Sequence, residues 1–120
     1  MVDAEYFRAL ALTHIRKNKY NEAALIIHRF QFKEGFDIKH IIDRLVDSNK
    51  IQNAKLLCEV NPDFVVYLIN ILSTNDNAKT AAGIISDFKL DINQFPALKE
   101  RLLKSSMRYY LGRYLYKKKG

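Results

Sequence analysis

Cysteine occurs once, at Cys58, in a chain of 120 residues. No internal disulfide can form, so a hydrophobic core must hold the fold by itself. A single cysteine also fits a reducing compartment. Glycine and proline are scarce, at four and two residues. No Asn-Gly or Asp-Gly pair marks a hairpin turn, and no segment reads as a strand. Long apolar runs are missing too. The longest, residues 64–72, is interrupted by Asn70, well short of the ~20 residues a membrane helix needs. The first five residues, Met1 to Glu5, are acidic and carry no apolar signal region. A cytoplasmic protein, or a piece of one, without integral membrane association is the expectation.

The residues that are present favour helix. Hydrophobic residues make up 48% and charged residues 28%, enough apolar surface for a core in one domain. Ile38, Ile41, Ile42, Leu45 and Val46 recur at helical spacing behind Asp37, a helix-capping residue. Phe7, Leu10, Ala11 and Ile15 form a similar stripe. Asn61-Pro62 reads as a cap followed by proline at the first helical position, with Val65, Leu68, Ile69 and Leu72 continuing the period. The spacing predicts helices near 3–17, 20–32, 37–48, 50–59, 62–73, 77–89, 93–104 and 105–117. Connections this short pack neighbours as antiparallel hairpins.

Three segments resemble one another. Lys19 to Ile26 aligns with Lys50 to Leu57, and Glu22 to Phe30 aligns with Thr80 to Phe88. Two helices per ~30 residues is the period of a stacked helical solenoid. The small residues Ala23, Ala24, Ala54, Ala81 and Ala82 allow close helix approach. The tetratricopeptide signature is met only through Tyr20-x-x-Ala23, its Trp and Leu-Gly positions being absent. The expected fold is therefore all-α: stacked antiparallel hairpins of the HEAT or TPR α-solenoid type, with seven or eight short helices. Residues 1–104 form the repeat body. Residues 105–120 form a basic C-terminal helix or cap, with its tail, in the same domain.

Catalytic patterns are sparse. His14, His28 and His40 fall on different predicted helices without ligand spacing, so neither a metal site nor a cofactor is expected. Cys58 follows Leu56-Leu57 on an apolar helix and reads as a small core residue. No phosphate-cradling glycine loop occurs. Asp3-Ala4-Glu5 matches a bare Asp-x-Glu, but two-metal chemistry needs further carboxylates, and acids opening a helix suit its dipole. No catalytic residue is assigned.

Charge is the informative feature. The net charge is +7, and residues 99–120 hold eight basic residues against Glu100 alone. Residues 1–98 balance at twelve of each sign. Such a local patch attracts polyanions. With residues 101–117 helical, Leu103, Met107, Tyr110, Leu111 and Tyr114 share one face. Arg101, Lys104 and Arg108 flank one side, Arg113 and Lys117 the other. One reading docks the stripe on the preceding repeat with solvated cations. A second makes the helix an RNA-contacting cap, with Tyr109 and Tyr116 stacking on unpaired bases. A third, an interfacial membrane helix, suits the stripe less well because it has few bulky aliphatics. The RNA reading assigns Arg101, Lys104, Arg108, Tyr109, Arg113, Tyr116, Lys117, Lys118 and Lys119 to polyanion binding. The last three are expected to be disordered in isolation or to link to a further domain.

Lys17 to Leu45, with its Lys-x-Tyr-x-x-Ala-Ala helix and Phe36-Asp37-Ile38 opening the next, resembles the non-catalytic helical region of Mut-7/Nibbler-type 3′–5′ exonucleases. Ile85 to Leu90 and Phe95-Pro96 fit the same pattern, and the likeness spans roughly residues 6–102. It implies an accessory domain beside a separate nuclease domain, in an enzyme that trims small RNAs held by Argonaute-type proteins. The partner implied is RNA, or the RNA-bound Argonaute-type protein. No residue here matches the family's catalytic carboxylates. A protein-interaction solenoid unrelated to RNA is the alternative reading.

Overall fold

The computed structural model describes residues 3–74 and 77–104. Among them are seven α-helices, two 3₁₀ turns and no strand. The chain divides into two compact units, Met1–Val65 and Val66–Gly120. The predicted helix over 105–117 lies outside the described residues.

The first unit contains α1 (Ala4–Arg16), α2 (Tyr20–Phe30), α3 (Ile38–Asp47), α4 (Ile51–Val60) and a 3₁₀ turn, Pro62–Phe64. Helix α1 packs on α2, α3 on α4, and α2 on both α3 and α4. The core follows the predicted stripe on α3, whereas of the α1 stripe Ala11 is buried and Phe7, Leu10 and Ile15 are half-buried. Ile38, Ile41, Ile42, Leu45 and Val46 are all buried on α3. Ala11, Ala23, Ala24 and Ala54 are fully buried, as close helix approach requires. Asp37 caps α3, its Oδ1 accepting from the His40 N–H at 3.3 Å.

The 31-residue offset extends to the turns. Asn18 and Asn49 both adopt left-handed backbone, with φ of 60° and 59°. The following amides reach back to the helix they leave, Lys19 N–H to the His14 carbonyl at 2.8 Å and Lys50 N–H to the Leu45 carbonyl at 2.7 Å. These are Schellman ends, which satisfy carbonyls the helix would otherwise leave open. Asparagine tolerates the conformation better than other residues with a Cβ. Gln31 ends α2 in the same left-handed conformation, which stops that helix short of the predicted residue 32.

Between α2 and α3 the chain is held from the side by Arg8. Its Nη1 donates to the Glu34 carbonyl at 2.6 Å, and its guanidinium lies 4.4 Å from the Phe32 ring centre. Phe7, Phe30, Phe32 and Phe36 form a row of stacked rings beside it, with centroids 4.4 to 6.0 Å apart. Gly35 has φ +91°, and a Cβ there would come within 2.5 Å of the Arg8 guanidinium. Gly35→Ala is expected to lower stability by about 1–2 kcal/mol through backbone strain. Urea unfolding followed by circular dichroism checks this, and a change below about 0.5 kcal/mol would count against it.

The second unit holds most of α5 (Val65–Thr74), with α6 (Ala78–Asp87), a 3₁₀ turn (Ile92–Gln94) and α7 (Pro96–Lys104). Helix α7 packs on α6 and on the 3₁₀ turn. Leu68, Ile69, Leu72, Ile85, Ile92, Leu98 and Leu102 are its largest fully buried side chains. Two predicted helices are divided here. The one expected over 62–73 begins as the 3₁₀ turn at Pro62 and becomes α-helical only at Val65. The one expected over 93–104 breaks at Phe95, which has φ −127° and ψ 69°. Proline disfavours α geometry in the residue before it, so Pro96 starts a new helix instead of continuing one.

Candidate functional site

Several residues of the catalytic patterns have local structural partners. Asp3 caps α1, its Oδ1 accepting from the Glu5 and Tyr6 amides at 3.0 and 3.4 Å. Glu5 sits in the same first turn, where an acid suits the dipole. His28 lies 3.8 Å from Glu59 across the α2–α4 contact. His40 Nε2 lies 3.3 Å from the Tyr20 hydroxyl. Half-buried His14 carries an Nδ1 without a hydrogen-bond partner. Among the described residues no group of three or more His, Cys, Asp or Glu is placed to hold a metal ion. Cys58 is fully buried on α4. Burial, with the Glu59 charge adding to it, pushes its thiol up to about 12. A neutral thiol in a core is neither an accessible nucleophile nor a metal ligand.

Of the residues assigned to polyanion binding, two fall within the described structure. Arg101 is half-buried on α7 and donates from Nη1 to the Ser73 carbonyl, at the end of α5. This hydrogen bond ties α7 to α5 within the second unit, a packing role that helical spacing alone did not show. Lys104 is the last residue of α7. Arg108, Tyr109, Arg113, Tyr116, Lys117, Lys118 and Lys119 lie outside the described residues.

Tertiary structure gathers a different set of cations in the first unit. A cleft of about 230 Å³ opens where the α1–α2 turn meets the end of α3 and the start of α4. Asn18, Lys19, Tyr20, Asn21 and Glu22 line it from the first turn, and Arg44, Leu45, Ser48 and Lys50 from the second. Lys19, Arg44 and Lys50 are exposed, and among the described residues none has a carboxylate partner. Glu22 is the one acid on the wall. The Tyr20 hydroxyl donates to Asn18 Oδ1 at 3.2 Å, which ties the turn to the wall of the cleft. Asn21 adds an amide whose oxygen is buried and unpartnered. Both helix starts here, at Lys19 for α2 and Lys50 for α4, lack a side-chain cap, whereas Asp3 and Asp37 cap α1 and α3.

Charge counting along the chain conceals this cluster, because residues 1–98 sum to zero and the three cations are separated in sequence. The signal that points to it is the pair Asn18-Lys19 and Asn49-Lys50. The same dipeptide at the same repeat position puts the same turn, with a lysine after it, into neighbouring helix pairs. No protein-family model, no curated protein and no solved structure matches the chain.

Proposed function

We propose that this chain is a non-catalytic helical-repeat module that recruits RNA. The observation that carries this reading is the local surplus of cations: eight basic residues against one acidic over 99–120. The cleft cations Lys19, Arg44 and Lys50, without carboxylate partners among the described residues, support it from the first unit. A local excess of Lys and Arg over acids is the electrostatic footprint of a phosphate-backbone binder. The α2–α4 packing between successive helix pairs supports a stacked-hairpin solenoid, an architecture that presents extended binding surfaces. In its specific form the proposal follows the resemblance of Lys17–Leu45. The chain is then an accessory domain of a small-RNA 3′-end-trimming exonuclease, delivering RNA or its Argonaute-type carrier to an adjoining nuclease domain. Among the described residues no helix is long and apolar enough to cross a membrane.

Titration of single-stranded RNA at several salt concentrations tests the RNA reading. With about four cations engaged, log affinity falls against log salt with a slope of about −3, at ~0.7 per phosphate. Replacing Lys104, Arg108, Arg113 and Lys117 by alanine flattens that slope. Absence of RNA binding at low salt, together with a protein partner whose capture is insensitive to salt and to those changes, would assign the chain to the protein-scaffold class instead.

A further inference from the structure

We propose that the cleft bounded by Lys19, Arg44 and Lys50 is a binding site for a phosphate group. It is built from residues of the first unit alone and rests on the RNA reading only for the source of that phosphate.

Three features converge on an anion of this kind. The first is uncompensated charge. Three exposed cations, Lys19, Arg44 and Lys50, line one cleft with a single acid, Glu22, and no carboxylate among the described residues pairs with any of the three. A local surplus of positive charge around one cleft attracts an anion. The second is directionality. Lys19 enters from the α1–α2 turn, Arg44 from the last turn of α3, and Lys50 from the α3–α4 turn. A tetrahedral anion has oxygens to meet donors from several sides, and the planar guanidinium of Arg44 matches two of them at once. The third is the residue at each helix start. Helices α1 and α3 open on aspartate caps, while α2 and α4 open on lysine with no side-chain cap. A cation at a helix N-terminus opposes the dipole. An anion seated beside it reverses the sign of that interaction and meets the uncapped amides of α2. The 31-residue repeat accounts for the assembly, since it places the same Asn-Lys turn in both helix pairs. The cleft, at about 230 Å³, has ample room for a phosphate, and Ser48 is among its lining residues.

The test uses the full chain, labelled with nitrogen-15, titrated with inorganic phosphate at low ionic strength. Amide shifts are expected to concentrate at residues 18–22 and 48–50, saturating with a dissociation constant on the order of 1 mM. The double variant Arg44→Ala, Lys50→Ala is expected to weaken binding about a hundredfold, or about tenfold for each charge-assisted hydrogen-bonding group removed. Arg29→Ala with Lys33→Ala removes the same charge from exposed positions outside the cleft, and is expected to leave affinity within about twofold because such charges are screened. Each variant's spectrum reports its own fold. Lys50→Gln alone carries the comparison if the double variant unfolds. No shifts at the cleft, or equal weakening by both double variants, would overturn the site. A second arm uses one short single-stranded RNA with a 5′-phosphate or a 5′-hydroxyl. A preference for the phosphorylated strand that disappears in the cleft variant assigns the site to a terminal phosphate. Equal binding of the two strands, both displaced from the cleft by inorganic phosphate, assigns it to a backbone phosphate. RNA that fails to bind while inorganic phosphate still shifts the cleft amides overturns the RNA reading and leaves the phosphate site standing.

Discussion

Ile42→Ala is expected to lower the stability of the first unit by about 3 kcal/mol, within the 2–5 kcal/mol range typical of isoleucine truncation in a core. Ile42 is fully buried, on the face of α3 where Ile38, Ile41, Leu45 and Val46 are also buried. Truncation removes three carbons from water-free packing and leaves a cavity that rigid helix backbones close only in part. Natural domains are stable by only about 5–15 kcal/mol, so the change is a large share of the total. Ile42→Val should cost about 1 kcal/mol, since it removes one carbon. Arg44→Ala, exposed on the same helix, should stay within about 0.5 kcal/mol. Urea unfolding of the three variants gives the order. A loss below about 1 kcal/mol for Ile42→Ala would mean that the α3 face is not the packed core.

Native Cys58 should alkylate about a thousandfold more slowly than an unstructured cysteine at neutral pH. Thiolate is the reacting species. With the thiol pushed up from 9.0 to about 12, the thiolate fraction falls by about three powers of ten, and full burial adds a steric barrier. Labelling then proceeds through opening of α4, so its rate reports local or global unfolding. The same shift has a linkage consequence. A folded pKa above the unfolded one leaves the contribution intact below pH 9. Stability then declines as pH rises from about 9 towards 12, because the unfolded chain loses the proton first. Alkylation followed by mass spectrometry, with and without denaturant, measures the protection. Native labelling as fast as that of the unfolded chain would show that the packing around Cys58 is open.

The division between legible and hidden features follows from the range of the interactions. Helix positions were legible because burial in a helix has a local period. The stripe from Ile38 to Val46 and the Asp37 cap are both matters of spacing within a dozen residues, and the structure has both. Helix ends were legible only in part. Pro96 breaks a predicted helix by a local steric rule that the continuing hydrophobic period masks. Gln31 adopts left-handed backbone, which its residue type does not favour, and ends α2 early. Cys58 was legible as a core residue because its neighbours Leu56 and Leu57 are apolar.

Interactions between distant residues were not legible. Arg101 looks like one of a row of surface cations until the fold sets its guanidinium against the Ser73 carbonyl. Arg8 holds the loop at Glu34 from 26 positions away, a distance at which no periodicity carries information. Lys19, Arg44 and Lys50 look like ordinary solvated cations in a segment of zero net charge. The amino-acid sequence by itself determined the all-helical class, the apolar faces, the 31-residue echo and the cation-rich C-terminus, because each depends on composition or on short-range spacing. Only the tertiary structure decided which cations share a cleft, because Coulomb forces act through space and the turns at Asn18 and Asn49 bring together charges that the chain order keeps apart.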